Sequence, residues 1–432
     1  MAGPVSRGPE RVVLDNGLTV VVERVPSAPV FTAMLVVEAG SRFDPPGRAG
    51  LAALTGGVLV EGTNVRSARS MALAVDSLGS ALDSVTGYET TAVVGSGLGE
   101  HCSETLLLLA EVVTSPRMSR SAVEECVRRQ VSELADDSAQ AYERCRQVFM
   151  STVFDGHARA NPVGGLVDDV LAMTHRDTDA FHRAFYRPDR AVLSIAGDLP
   201  RAELVEAASE SLGGWTAPAA AQPREPEPPS PAEGRRVSFT RMDSRQVHVI
   251  VGNVALARSD PLYYAAAVMD VILGDSAGFG SRLATRLRER EGLAYVIESD
   301  ASGTAGVEPG VFWAYSATSP GQFERLLEGL MQELLLMRAE PPSDDELAAA
   351  VGYLTGRDVL DRETSDAVAG RLVHAERHGL GLDFDERFPE HVESVTREAV
   401  LEAARRFIDP DTMTLAVVGP LDAEGVSFPD LS

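Results

Sequence analysis

Gly50-Leu-Ala-Ala-Leu-Thr-Gly-Gly-Val-Leu-Val-Glu-Gly-Thr63 is the stretch on which the reading of this chain turns. It is expected to be a short helix, yet it holds adjacent glycines at 56 and 57. Each glycine inside a helix costs about 1 kcal/mol relative to alanine, so the pair needs a reason in packing or in descent. Upstream, Val12-Val-Leu-Asp-Asn-Gly-Leu-Thr-Val-Val-Val22 holds two short β-rich runs joined by Asn16-Gly17, a hairpin signal. Phe31-Thr-Ala-Met-Leu-Val-Val-Glu38 adds a strand run before the helix. Downstream, Thr90–Leu98 predicts a strand leading into a helix over Glu104–Val113.

The same order recurs. Gln246–Val251 predicts a strand, Pro261–Leu273 a helix, Val311–Ser316 a strand and Gln322–Met331 a helix. Each half closes on a helix and a strand, Asp179–Pro188 with Ala191–Gly197 in the first and Ala399–Phe407 with Met413–Gly419 in the second. Between the halves, residues 216–235 hold six prolines and no apolar period, which predicts an extended linker. The chain therefore divides into residues 10–215, a proline-rich linker 216–235 and residues 236–432. Strands interleaved with helices without strict alternation predict an α+β protein, each half a mostly antiparallel sheet backed by helices.

The Gly50 stretch resembles the zinc helix of the pitrilysin and insulinase metallopeptidases, the group that includes the mitochondrial processing peptidases, which write it G-x-A-H-F-L-E-H-M-L-F-x-G-T. Aligned on Leu59, Gly62 and Thr63, the first histidine falls on Ala53, the glutamate on Gly56 and the second histidine on Gly57. An H-x-x-E-H helix sets two imidazoles on zinc with the glutamate as general base, and alanine and glycine supply neither. The third ligand of the family, about 76 residues past the second histidine, is matched by Glu133, since 133 − 57 = 76. One carboxylate does not hold catalytic zinc. Leu287-Arg-Glu-Arg-Glu-Gly-Leu-Ala-Tyr295 is similar to the family's L-R-x-x-x-G-L-A-Y signature, with Arg288 and Tyr295 seven residues apart. The resemblance implies that this pair contacts the scissile carbonyl at a zinc bound in another half, where both side chains donate hydrogen bonds to the oxyanion.

The resemblance runs from about residue 10 to 420, anchored also by Gly40–Gly47 and Phe185-Tyr-Arg-Pro-Asp189. It implies two homologous α/β-roll domains, the second carrying the Arg/Tyr pair. It further implies that Gly278, Phe279 and Gly280, in the glycine-rich Leu273–Leu283, belong to a turn that touches substrate; a plain turn is the other reading, and a phosphate loop fails for want of its lysine. Ser84, Val85 and Thr86 lie in Ser80–Thr86, which resembles the edge strand where the family's catalytic half lays peptide. A shielded edge is the alternative there. The small residues at 56 and 57 either open a floor for a partner's side chain or a bound peptide, or are drift.

Composition sets the outer bounds. A net charge of −25 over 432 residues argues against nucleic acid and anionic membrane as partners. All 39 basic residues are arginine. Cys102, Cys126 and Cys145 are odd in number and lack C-x-x-C spacing, which predicts free buried thiols in a reducing compartment. No secretory signal or span of about 18 apolar residues is seen, so the cytoplasm is expected. His374 and His378 have zinc-like i, i+4 spacing but no third ligand, which predicts a solvated helix face. The expectation is a chain that binds no zinc itself and pairs with a homologous H-x-x-E-H subunit that does. It would supply Arg288 and Tyr295 in trans for peptide hydrolysis, including maturation of a peptide precursor. A scaffold or peptide-binding subunit without catalysis is the alternative.

Overall fold

The computed structural model describes residues 8–216, 225–230, 233–274 and 280–429, the side chains of 137–139 and 424 apart. Two sheets organise the chain. The first is built from β1 (Glu10–Val13), β2 (Thr19–Arg24), β3 (Val30–Val37), β4 (Ala81–Thr86), β5 (Thr91–Leu98) and β6 (Ala191–Gly197), in the order β1-β2-β6-β3-β5-β4. The second holds β7 (Arg236–Arg241), β8 (Val247–Val254), β9 (Ile297–Asp300), β10 (Val311–Thr318) and β11 (Thr414–Gly419), in the order β7-β11-β8-β10-β9. Only β2–β6 and β7–β11 are parallel; the remaining pairings are antiparallel. The architecture is α+β with two mostly antiparallel sheets backed by helices, as the strand runs predicted.

Local chemistry explains the register. β1 and β2 pair from Glu10↔Val22 to Val13↔Thr19 around the Asn16-Gly17 turn. Gly17 takes φ +90°, a conformation that disfavours any residue with a β carbon. Asn16 donates to the carbonyls of Leu212 and Trp215 at 2.8 and 3.0 Å, so the hairpin tip is pinned to the end of a later helix. The helix Leu51–Leu59 lacks a polar N-cap of its own, its cap being Gly50. Asp44 supplies the acceptor instead, taking N–H groups of Gly50 at 2.7 Å and Ala52 at 2.8 Å, while burial pushes its carboxyl up to about 7.

The sheets divide at the linker; the compact units do not. One unit comprises Met1–Leu134, Pro162–Pro226 and Asp358–Glu386, the other Ala135–Asn161, Glu227–Arg357 and Arg387–Ser432. The expected boundaries at 10–215 and 236–432 therefore need amending, because each unit takes in a helix from across the linker. In the first unit, helix Ser365–Arg377 lays Val368, Ala369 and Leu372 against Val21 and Ala196 of the sheet. In the second, helix Ala141–Val153 and the residue after it place Cys145, Phe149, Val153 and Phe154 against Ile250, Ala416 and Val418. The principal cores lie on Leu35, Leu54, Val58, Leu106 and Ile195 in the first unit, and on Val249, Leu287, Phe312, Leu330 and Leu415 in the second.

The three cysteines are free and buried, and burial pushes the thiols of Cys102 and Cys126 up to about 12 and 11, which leaves them unreactive. The rings of His374 and His378 lie tilted against each other with centroids 4.6 Å apart and both residues half-buried, so the solvated face expected for them is corrected. No helix among the described residues is long and apolar enough to cross a membrane.

Candidate functional site

In the first unit the residues of the resembling zinc helix face two neighbours. Ala53 and Gly57 are half-buried and Gly56 is buried on the helix Leu51–Leu59. A β carbon at Gly56 would lie 2.4 Å from Thr86 Oγ1 and 3.3 Å from Ser84 Oγ. Thr86 in turn shares a 3.0 Å hydroxyl contact with Thr91 on the adjacent strand. The open floor expected at residue 56 is therefore absent, because β4 fills it. Ser84, Val85 and Thr86 do lie on an edge strand, β4, whose Val85 is 60% exposed. Beside Gly57 stands the guanidinium of Arg129, 3.4 Å from where a β carbon would be.

A zinc ion does not fit this donor set. The side chains at 53, 56 and 57 carry no nitrogen, oxygen or sulfur. Glu133 is exposed, on helix Arg120–Ala139. Arg129, one turn before it on that helix, donates to Glu61 at 2.7 Å. Its neighbour Gln130 donates to the carbonyls of Gly50 at 3.1 Å and Gly164 at 2.7 Å.

The second unit holds the Arg288 segment. There Ala284–Arg290 forms a π-helical turn. Such widened turns recur at functional sites because they displace side chains from the regular 3.6-residue pattern. Leu283, Leu287 and Leu293 are buried and anchor the segment to the core. The chain then reverses: Leu293 N–H donates to Leu287 O at 2.8 Å and Thr318 Oγ1 to Leu293 O at 2.6 Å.

Ion pairs brace its flank. Arg282 grips Glu346 with two bonds at 2.6 and 2.9 Å, and Arg286 meets Glu291 at 2.9 Å and Glu333 at 3.0 Å. The fork of Arg282 holds the Glu346 carboxyl down at about 2. These arginines, with Gly280, Thr285, Arg290 and Leu336, line a cleft of about 340 Å³.

The anchoring leaves Arg288 half-buried and Tyr295 83% exposed, just before edge strand β9. A phenol in water has no packing reason to be where it is. Gly280 is exposed with open space over it, while Gly278 and Phe279 lie outside the described residues. The structure thus brings Ser84 and Thr86 to Gly56, and Arg288 and Tyr295 onto one braced segment. Residue-level reading missed Arg129, Glu61 and the Arg282/Arg286 brace; the only sequence signal was the i, i+4 spacing of Arg129 and Glu133.

Comparison with known proteins decides the family. Residues 19–165 match the family described as insulinase, peptidase family M16, and residues 172–354 match the peptidase M16 inactive domain. An uncharacterized zinc protease of Streptomyces coelicolor is 30% identical over 95% of this chain and 89% of its own length. This chain belongs to the insulinase family, M16. A probable mitochondrial-processing peptidase subunit beta of Schizosaccharomyces pombe is 25% identical, with 96% of this chain and 92% of that protein covered. Among solved structures, a peptidase M16 inactive domain from Pseudomonas fluorescens superposes with TM-score 0.88 at 23% identity, covering 96% of this chain and 99% of that one. A Helicobacter pylori protease gives TM-score 0.89 at 19% identity, covering 95% and 99%. The fold is that of M16 proteins.

Proposed function

We propose that this M16 chain is the non-zinc subunit of a two-chain metallopeptidase and supplies Arg288 and Tyr295 in trans. The observation that carries the reading is the contrast between its two units. The positions of the zinc motif hold no donor atom, yet the Arg288–Tyr295 segment is buried at its leucines, braced by ion pairs and ends on an 83% exposed tyrosine. The fission-yeast relative is by its name a subunit, which supports assembly of this chain with another.

In the assembled enzyme the partner's metal supplies water activation. Arg288 and Tyr295 of this chain donate hydrogen bonds to the oxyanion that forms as the peptide carbonyl becomes tetrahedral. Ser84, Val85 and Thr86, with Gly278, Phe279 and Gly280, are the proposed peptide contacts, the β4 edge offering backbone groups to an extended chain. Short or unfolded peptides in the cytoplasm, a leader-bearing precursor among them, are the proposed substrates. Neither nucleic acid nor membrane has a role.

The test is co-purification followed by kinetics. A tagged copy drawn from native lysate is expected to bring down a similar-sized H-x-x-E-H chain near one to one. Arg288→Ala and Tyr295→Phe are then expected to lower turnover of the pair by about 100-fold or more with partner binding intact. Full turnover in both variants refutes the trans role and favours the scaffold or peptide-binding reading.

A further inference from the structure

A zinc site needs donors, and it also needs room for a cation. In the first unit the guanidinium of Arg129, on a side chain 47% exposed, borders that room. We infer that the guanidinium of Arg129 is the resident cation of the vestigial site, sealing it against divalent metal and tying the helix Leu51–Leu59 to the helix Arg120–Ala139.

Three contacts place it there. Nη2 lies 3.4 Å from the β-carbon position of Gly57, where the second histidine of the motif would project. Nη1 donates to Oε1 of Glu61, just beyond the end of the first helix, at 2.7 Å. The same Nη2 is 3.5 Å from Sγ of Cys126. Glu133, four residues on and so on the same helix face, adds a second negative charge that favours the protonated arginine.

Glu61 bonds this guanidinium and Glu133 acts on it electrostatically, so both carboxylates face one resident cation. A divalent ion brought to them would meet a like charge that does not deprotonate, since arginine keeps its proton throughout the working pH range. The cross-link between the helices is the second task. Where zinc would join the two through its ligands, the Arg129–Glu61 pair joins them here, with Gln130 tying the other end of the first helix through Gly50. Gly57 has a part in this, because a longer side chain at that position would compete with Nη2 for the same space.

The test uses the full chain without its partner, so it stands apart from any trans role of Arg288 and Tyr295. Zinc content after gel filtration, and zinc affinity by chelator competition, are compared for Ala53→His/Gly57→His and for the same pair with Arg129→Ala. The two-histidine chain is expected to stay essentially metal-free. Removing Arg129 as well is expected to bring it to about one zinc per chain and to tighten binding by about 100-fold or more. Equal zinc content in the two variants, whether both bind or both stay empty, overturns the inference. Should the histidine variants not fold, Arg129→Ala in the native background decides it. Amide exchange over residues 57–61 is expected to quicken by about 10-fold, and unchanged exchange overturns the cross-link.

Discussion

Gly56 and Gly57 are neighbours with opposite surroundings, and the difference is measurable. At Gly56 a methyl group would press on Thr86 Oγ1 at 2.4 Å, whereas at Gly57 it would make an ordinary contact at 3.4 Å. Gly56→Ala is expected to destabilise by about 1–3 kcal/mol through overpacking. Gly57→Ala is expected to be neutral or to stabilise by up to about 1 kcal/mol, because helix propensity then acts unopposed. Urea midpoints of the two variants check this, and equal shifts would contradict the packing account. The identities at 53, 56, 57, 288 and 295 were legible in the sequence, since a missing histidine is a missing atom. The place of Arg129 was not legible, because nothing local to it announces Gly57, 72 residues earlier in the chain, as its neighbour.

At the scale of elements, the helix Leu51–Leu59 depends on a carboxylate six residues before its cap. Asp44→Ala is expected to cost about 1–2 kcal/mol, read from thermal or urea unfolding, as it strips the N–H groups of Gly50 and Ala52 of their acceptor. The Arg288 segment depends on charge in a pH-dependent way. Glu346 is held by Arg282 at about 2, below its ordinary value of 4.5. A depressed carboxyl contributes stability that is present above the ordinary value and is lost as pH falls from about 4.5 to about 2. Denaturation series between those limits should show Glu346→Gln with a shallower loss of stability than the native chain. An identical slope would show that Glu346 does not carry it. The turn itself was legible only as a motif: its π-helical geometry accompanies the burial of Leu287 and Leu293 in one core.

For the whole molecule, the exchange of helices across the linker sets what can fold alone. Residues 1–230 expressed without the rest would lack helix Ser365–Arg377, and residues 231–432 would lack helix Ala141–Val153. Each fragment would expose an apolar sheet face, Val21 and Ala196 in one and Ile250, Ala416 and Val418 in the other. Neither fragment is expected to give a cooperative melt alone, and co-expression is expected to restore one; a cooperative melt from either fragment would refute the dependence. The order of the strands other than β7 and β9, the family and the absence of zinc donors at 53, 56 and 57 were determined by the sequence itself, because each rests on residue identity or on periodicity within a short window. Which helix covers which sheet, which of two adjacent glycines has room beside it, and which arginine stands over the lost metal position were decided only by tertiary structure. Those are contacts between residues tens to hundreds of positions apart, and packing at that separation leaves no mark on the local pattern of either partner.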